Sequence, residues 1–370
     1  MALFIGLALE TVGVVDLRGR ELRSPGRDRR RVASPFTGTI PEPVIAPAPD
    51  YPASQADPGE PRAPTLGQPA EPPRGWKRAR LPAIAAIFGA VGGIIIAIGS
   101  NVALAIVPAV MVASEGLTDP VEVQERVMDM VMTLPFVAGS VLLLGLGLVG
   151  GPFAAAFFSK TSFKEGLGFR GAHPAAFVLG PIGILTLGPL SDLLVRAMTS
   201  VFPDATFGAL ESIEKLTQSY GFWALFPFIA LAPGFTEEIF FRGLVQRSLG
   251  NVGIKAIVIS ALTFSFFHLD PHHVAGVLPL GLYLAWLAAR TGSLWVTIVT
   301  HAANNAVALL ASQLTVDAVD PNETLPWWTV PIGLALCALC VYGIHYFTRD
   351  RDRHEGPVSA PDGTERILAP

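Results

Sequence analysis

Two adjacent glutamates, Glu237 and Glu238, stand inside an apolar stretch that reads Phe235-Thr-Glu-Glu-Ile-Phe-Phe-Arg242. Two histidines follow on separate apolar segments, in Phe264-Ser-Phe-Phe-His268 and His301-Ala-Ala-Asn-Asn305. An ionisable side chain at membrane depth costs about 2.5–3.5 kcal/mol even on the lenient insertion scale, so such groups mark function by default. Glutamate and histidine exchange protons, and asparagine donates hydrogen bonds to developing negative charge. Together these residue types suit hydrolysis with water as nucleophile. In that reading Glu237 and one histidine activate the water, and His301 with Asn305 holds the oxyanion.

Spacing sorts the glutamates. Glu238 and Arg242 are four apart, so on a helix they share a face in the favourable order, glutamate first. Buried in lipid, neither charge is affordable alone. Glu237 lies about 100° around the helix from its neighbour, and its i+3 and i+4 positions are Phe240 and Phe241. It is therefore the carboxylate left for chemistry. A purely structural ion-pair cluster accounts for Glu238 and Arg242 but leaves Glu237 unexplained. His301 and Asn305 also share a helix face, whereas Asn304 is one step off and is expected to pack or to bond backbone. A single histidine in a membrane helix is often an interhelical hydrogen-bonder; two beside an unpaired glutamate ask for a shared site.

The sequence carries neither HExxH nor GxSxG, so those protease and hydrolase classes lack their residues. Two histidines and a carboxylate can nevertheless hold zinc with an open position, and His268, His301 and Glu237 would be its ligands. Asn305 is a poor zinc ligand and a good oxyanion donor, which favours a mechanism requiring no cofactor, with zinc as the alternative.

The elements that must position these groups are membrane helices. Of the 370 residues 51% are hydrophobic and only 15% charged, and mean hydropathy is +0.49. A soluble domain carries about 25% charged residues. From Leu81 onward eight apolar runs alternate with short polar breaks: roughly 82–113, 131–158, 174–200, 221–248, 254–270, 273–290, 293–313 and 326–347. About 20 apolar residues cross the hydrocarbon core as a helix. The expected fold is an all-α, polytopic transmembrane bundle of about eight spans over residues 81–348. Cys337 and Cys340 fall inside the last run, with no second pair to complete a zinc site, and read as small core residues. At 1.5 Å per residue, Glu237 lies about 15 Å from Arg247, His268 about 20 Å from Lys255 and His301 about 14 Å from Gly292, so all three reach comparable depth.

Residues 16–80 are a different material. They hold 13 prolines and an arginine run from Arg27 to Arg31 broken only by Asp28. Such a composition cannot bury enough apolar surface to order itself, so residues 1–80 read as a disordered tail, and 349–370 as a charged tail. Lys and Arg cluster in alternate loops, at Lys160, Lys164 and Arg170, at Arg247 and Lys255, at Arg290, and at Arg349, Arg351 and Arg353. The positive-inside rule then places both termini in the cytoplasm. Nothing reads as nucleic-acid binding. The expected partners are the bilayer and a membrane-associated protein or peptide.

The three motifs, Glu237-Glu238…Arg242, Phe264…His268 and His301…Asn305, resemble in order and without substitution those of the CAAX prenyl endopeptidase and bacteriocin-processing intramembrane protease family, related to type II CAAX proteases. The likeness covers about residues 220–313, and the Lys164-Glu-Gly-Leu-Gly-Phe169 loop also looks like family members. The resemblance implies an intramembrane endopeptidase in which Glu237 and His268 activate water, His301 and Asn305 stabilise the oxyanion, and Glu238 and Arg242 organise the site. Two other readings stay open: a non-catalytic scaffold or immunity factor of the same fold, and a proton-coupled transporter. The transporter reading expects an internal repeat, which the two halves lack.

Overall fold

The computed structural model describes residues 81–204, 208–250, 253–315 and 325–349. The expected disordered tail, residues 1–80, lies outside the described residues, as does the C-terminal tail beyond Arg349. Among the described residues every regular element is helical: α1 (Ala83–Ser114), α2 (Pro120–Val131), α3 (Leu134–Phe158), α4 (Phe163–Leu167), α5 (Pro174–Leu185), α6 (Gly188–Val201), α7 (Ala209–Leu225), α8 (Ala232–Glu238), α9 (Ile254–Phe266), α10 (Pro271–Thr291), α11 (Leu294–Thr315) and α12 (Thr329–Thr348). Two π-helical segments, Phe226–Leu231 and Ile239–Gln246, flank α8.

Seven helical stretches are long and apolar enough to cross a membrane: Ala83–Ser114, Leu134–Phe158, Pro174–Val201, Glu211–Gln246, Pro271–Thr291, Leu294–Leu314 and Thr329–Thr348. The eighth apolar run of the sequence forms the shorter helix α9, of 13 residues. It stops early because the chain turns before Asp270-Pro271. Proline disfavours helical geometry in the residue before it, and Asp270 is extended at φ −74°, ψ 117° while its side chain caps α10 through His272 N at 3.0 Å and His273 N at 3.1 Å. Leu269 completes the turn with φ +65°. This chain is an integral, multi-pass membrane protein.

In lipid, helices gain little by hiding apolar groups and associate through close packing and buried polar bonds. The α1–α3 pair uses both. A Cβ at Gly89 would stand 2.7 Å from the Gly151 carbonyl oxygen, so the small residues set how near the backbones come. About three turns away Ser140 Oγ donates to Asn101 Oδ1, and both residues are buried. Helix α2 does not cross: Asp119 caps it, accepting from Val121 N at 2.8 Å, and it lays Val127 and Val131 against Val112 of α1.

The Lys164–Phe169 loop has a structural task. Arg247, at the end of the helix that carries the glutamates, donates to Gly166 O at 3.0 Å and Glu165 O at 3.2 Å. Leu294 N, opening the histidine-bearing α11, donates to Gly168 O at 2.8 Å. The loop thus ties together the two helices whose middles carry Glu237 and His301. Cys337 and Cys340 are buried on α12, as expected of small core residues.

Candidate active site

The glutamates sit on α8, a seven-residue α-helical stretch between two π segments. π-Helical turns are rare, and wider winding redirects the side chains next to them. Each π segment also gives a carbonyl to a side chain from another helix: Ile229 O accepts from Asn305 Nδ2 at 3.4 Å, and Phe241 O from Ser260 Oγ at 3.1 Å. Gly234, one turn before Glu237 and Glu238, lets α8 meet α11. A Cβ there would fall 2.9 Å from the backbone of Ala302, the residue after His301.

The crossing brings Glu237, Glu238 and His301 into one cluster. Arg242 Nη1 donates to Glu238 Oε1 at 2.7 Å, and both side chains are fully buried. Arg242 Nη2 donates to Gly281 O at 3.2 Å, and its guanidinium lies over the Phe264 ring at 4.3 Å. His301 Nδ1 donates to the same Glu238 Oε1 at 2.9 Å. That bond fixes the imidazole and turns Nε2 towards Glu237, whose Oε2 lies 3.9 Å away. Glu237 Oε2 is buried and has no hydrogen-bond partner among the described residues. Glu238 is therefore committed to structure through Oε1, although its Oε2 is also buried without a partner, and Glu237 holds neither of those two donors.

His268 lies in the turn after α9 rather than within a membrane helix. Its Nδ1 donates to Phe264 O at 3.0 Å. A carbonyl only accepts, so the neutral ring keeps its lone pair on Nε2. Phe264 stands between the two histidines, edge to face with His268 at 5.0 Å and with His301 at 5.6 Å between ring centroids. Asn305 is held from two sides, its Nδ2 on Ile229 O and its Oδ1 accepting from Asn304 Nδ2 at 3.4 Å. Asn304, expected to pack or to bond backbone, gives its Nδ2 to the Asn305 side chain.

His273 is the neighbour that sequence reasoning missed. Its ring packs against His268 with centroids 4.5 Å apart, brought back by the Leu269 turn and by Asp270 bonding its backbone N–H. The Asp-Pro-His-His run carried the signal, since an aspartate before proline is a helix-capping pattern. For zinc, both histidine Nδ1 atoms are engaged, which leaves the two Nε2 atoms and Glu237 as donors. Among the described residues no three His, Cys, Asp or Glu side chains are grouped to hold a metal ion, so this geometry supports no step through zinc.

Residues 219–307 match the family model described as Type II CAAX prenyl endopeptidase Rce1-like. This is the family that the three motifs resemble, and the matched stretch contains Glu237, Glu238, Arg242, His268, His301 and Asn305. The match supports an intramembrane protease of the CAAX type, acting on membrane-associated substrates. No curated protein and no solved structure matches the chain.

Proposed function

We propose that this protein is an intramembrane endopeptidase that cleaves a membrane-associated protein or peptide with water activated by Glu237 and His268. The observation that carries the reading is Glu237, whose buried Oε2 has no hydrogen-bond partner among the described residues and lies 3.9 Å from His301 Nε2, while Glu238, whose Oε2 is likewise unmatched, already holds both Arg242 and His301 on its Oε1. A buried carboxylate oxygen left unmatched is costly, and an incoming water supplies the missing donor. Glu237 takes a proton from that water, with His268 Nε2 as the second acceptor, and the oxygen attacks the scissile carbonyl carbon. The carbonyl oxygen becomes the oxyanion, received by Asn305 Nδ2–H and by His301 Nε2 carrying a proton. The C–N bond then breaks as Glu237 returns its proton to the leaving amine.

Glu238 and Arg242 act on the reaction through His301, which they orient. No metal is required in this scheme, and zinc remains the testable alternative. The basic loops support an orientation with both termini in the cytoplasm.

The test is capture. Glu237→Gln protein is expressed in place of wild type in native membranes, crosslinked, and its partners are compared with those of wild type. A protein that accumulates intact with the variant and shortened with wild type is the expected result. Identical partners of identical length in both would overturn the protease reading in favour of a scaffold.

A further inference from the structure

We propose that the cleft between the start of α5 and the end of α12 binds the phosphate headgroup of an anionic membrane lipid. The cleft, of about 210 Å³, has Arg170, His173, Thr291, Phe347 and Thr348 among its lining side chains, and among the described residues no carboxylate lines it. Among the described residues the Arg170 side chain has no ion pair or hydrogen bond, although its backbone oxygen is anchored by Ser293 Oγ at 2.5 Å. His173 caps α5 by accepting from Ala175 N through Nδ1 at 3.2 Å. A ring nitrogen that accepts carries no proton, so Nε2 holds it and donates. Stacking on Phe347, at 5.2 Å between centroids and 14° between planes, fixes the ring. A second guanidinium borders the cleft, since Arg290 Nε donates to Thr348 Oγ1 at 2.9 Å. A guanidinium fork and an imidazole N–H are the donors that phosphate oxygens take.

Depth argues for a lipid as the source of that phosphate. Three membrane-crossing stretches, Pro174–Val201, Pro271–Thr291 and Thr329–Thr348, each begin or end at the cleft wall. That level is where headgroups lie, and half-exposed Phe347 offers an apolar side to the lipid beyond it.

The experiment uses the purified full chain in detergent and native mass spectrometry. The probes are dioleoylphosphatidylglycerol, dioleoylphosphatidylcholine and inorganic phosphate. One equivalent of phosphatidylglycerol is expected to stay bound in preference to phosphatidylcholine. Arg170→Gln, and His173→Asn, which keeps a capping acceptor but removes the imidazole N–H, should each weaken its retention about tenfold. Lys255→Gln, an exposed basic residue at the end of the bundle that Arg247 occupies, should not. Melting without added lipid must match wild type for each variant; if Arg170→Gln fails that check, His173→Asn carries the decision. Unchanged phosphatidylglycerol binding in the folded variants, or an equal loss in Lys255→Gln, would overturn the site. Displacement by inorganic phosphate at equal concentration would overturn the lipid assignment, as would equal retention of phosphatidylcholine.

Discussion

Oxygen Oε1 of Glu238 receives both the Arg242 guanidinium and His301 Nδ1, whereas one residue earlier Glu237 holds neither; the buried Oε2 of each has no donor among the described residues. Adjacent positions on one helix turn thus divide into a structural carboxylate and an available one, and substitutions should separate them. Glu237→Gln preserves volume but cannot accept the proton of water, so turnover is expected to fall on the order of 10²–10⁴-fold, the usual scale of a lost general base. Abundance and melting should stay at wild-type values. Asn305→Ala removes one oxyanion donor, and kcat is expected to drop on the order of 10²–10³-fold with little change in KM. A loss confined to KM would instead make Asn305 a substrate-binding group.

The element that matters most is the helical stretch from Phe222 to Gln246, which begins after the non-helical Gly221 (φ +71°), contains two π segments and is pinned at Gly234. Arg242→Ala strands Glu238 in the interior, at a cost on the order of 3–5 kcal/mol for a broken buried pair; thermal melting in detergent should fall clearly, beyond any loss of activity. Wild-type melting with no turnover would put Arg242 in the chemistry itself. Gly234→Val should also cripple the protein, because its side chain would meet the Ala302 backbone and part the two site-bearing helices. The sequence foretold much of this. Fourfold spacing named the Glu238–Arg242 pair and the shared face of His301 and Asn305, and apolar run lengths named the spans. The π segments were not legible, because their carbonyl partners, Asn305 and Ser260, come from helices remote in sequence. Nor was the His301–Glu238 bond, which needs the crossing angle of two helices. His268 was placed on a span because Phe-Phe-His-Leu is apolar; the cap at Asp270 decided otherwise.

For the whole molecule, the machinery lies within the membrane-crossing portion. Deleting residues 1–74, Pro-rich and outside the motif-bearing segments, is expected to leave detergent activity unchanged; loss of activity in a well-folded truncation would assign the tail to substrate recruitment. Metal content separates the two chemistries open to these donors. The metal-free scheme expects chelator-treated protein to stay active without stoichiometric zinc by elemental analysis, whereas activity lost on zinc removal and regained on its return would replace that scheme. The most direct measurement is cleavage of the captured partner in proteoliposomes containing only that partner and this protein. Wild type is expected to convert it to two fragments, and Glu237→Gln to bind it equally well and leave it intact. Cleavage by the Glu237→Gln protein at the wild-type rate would contradict the account at its centre.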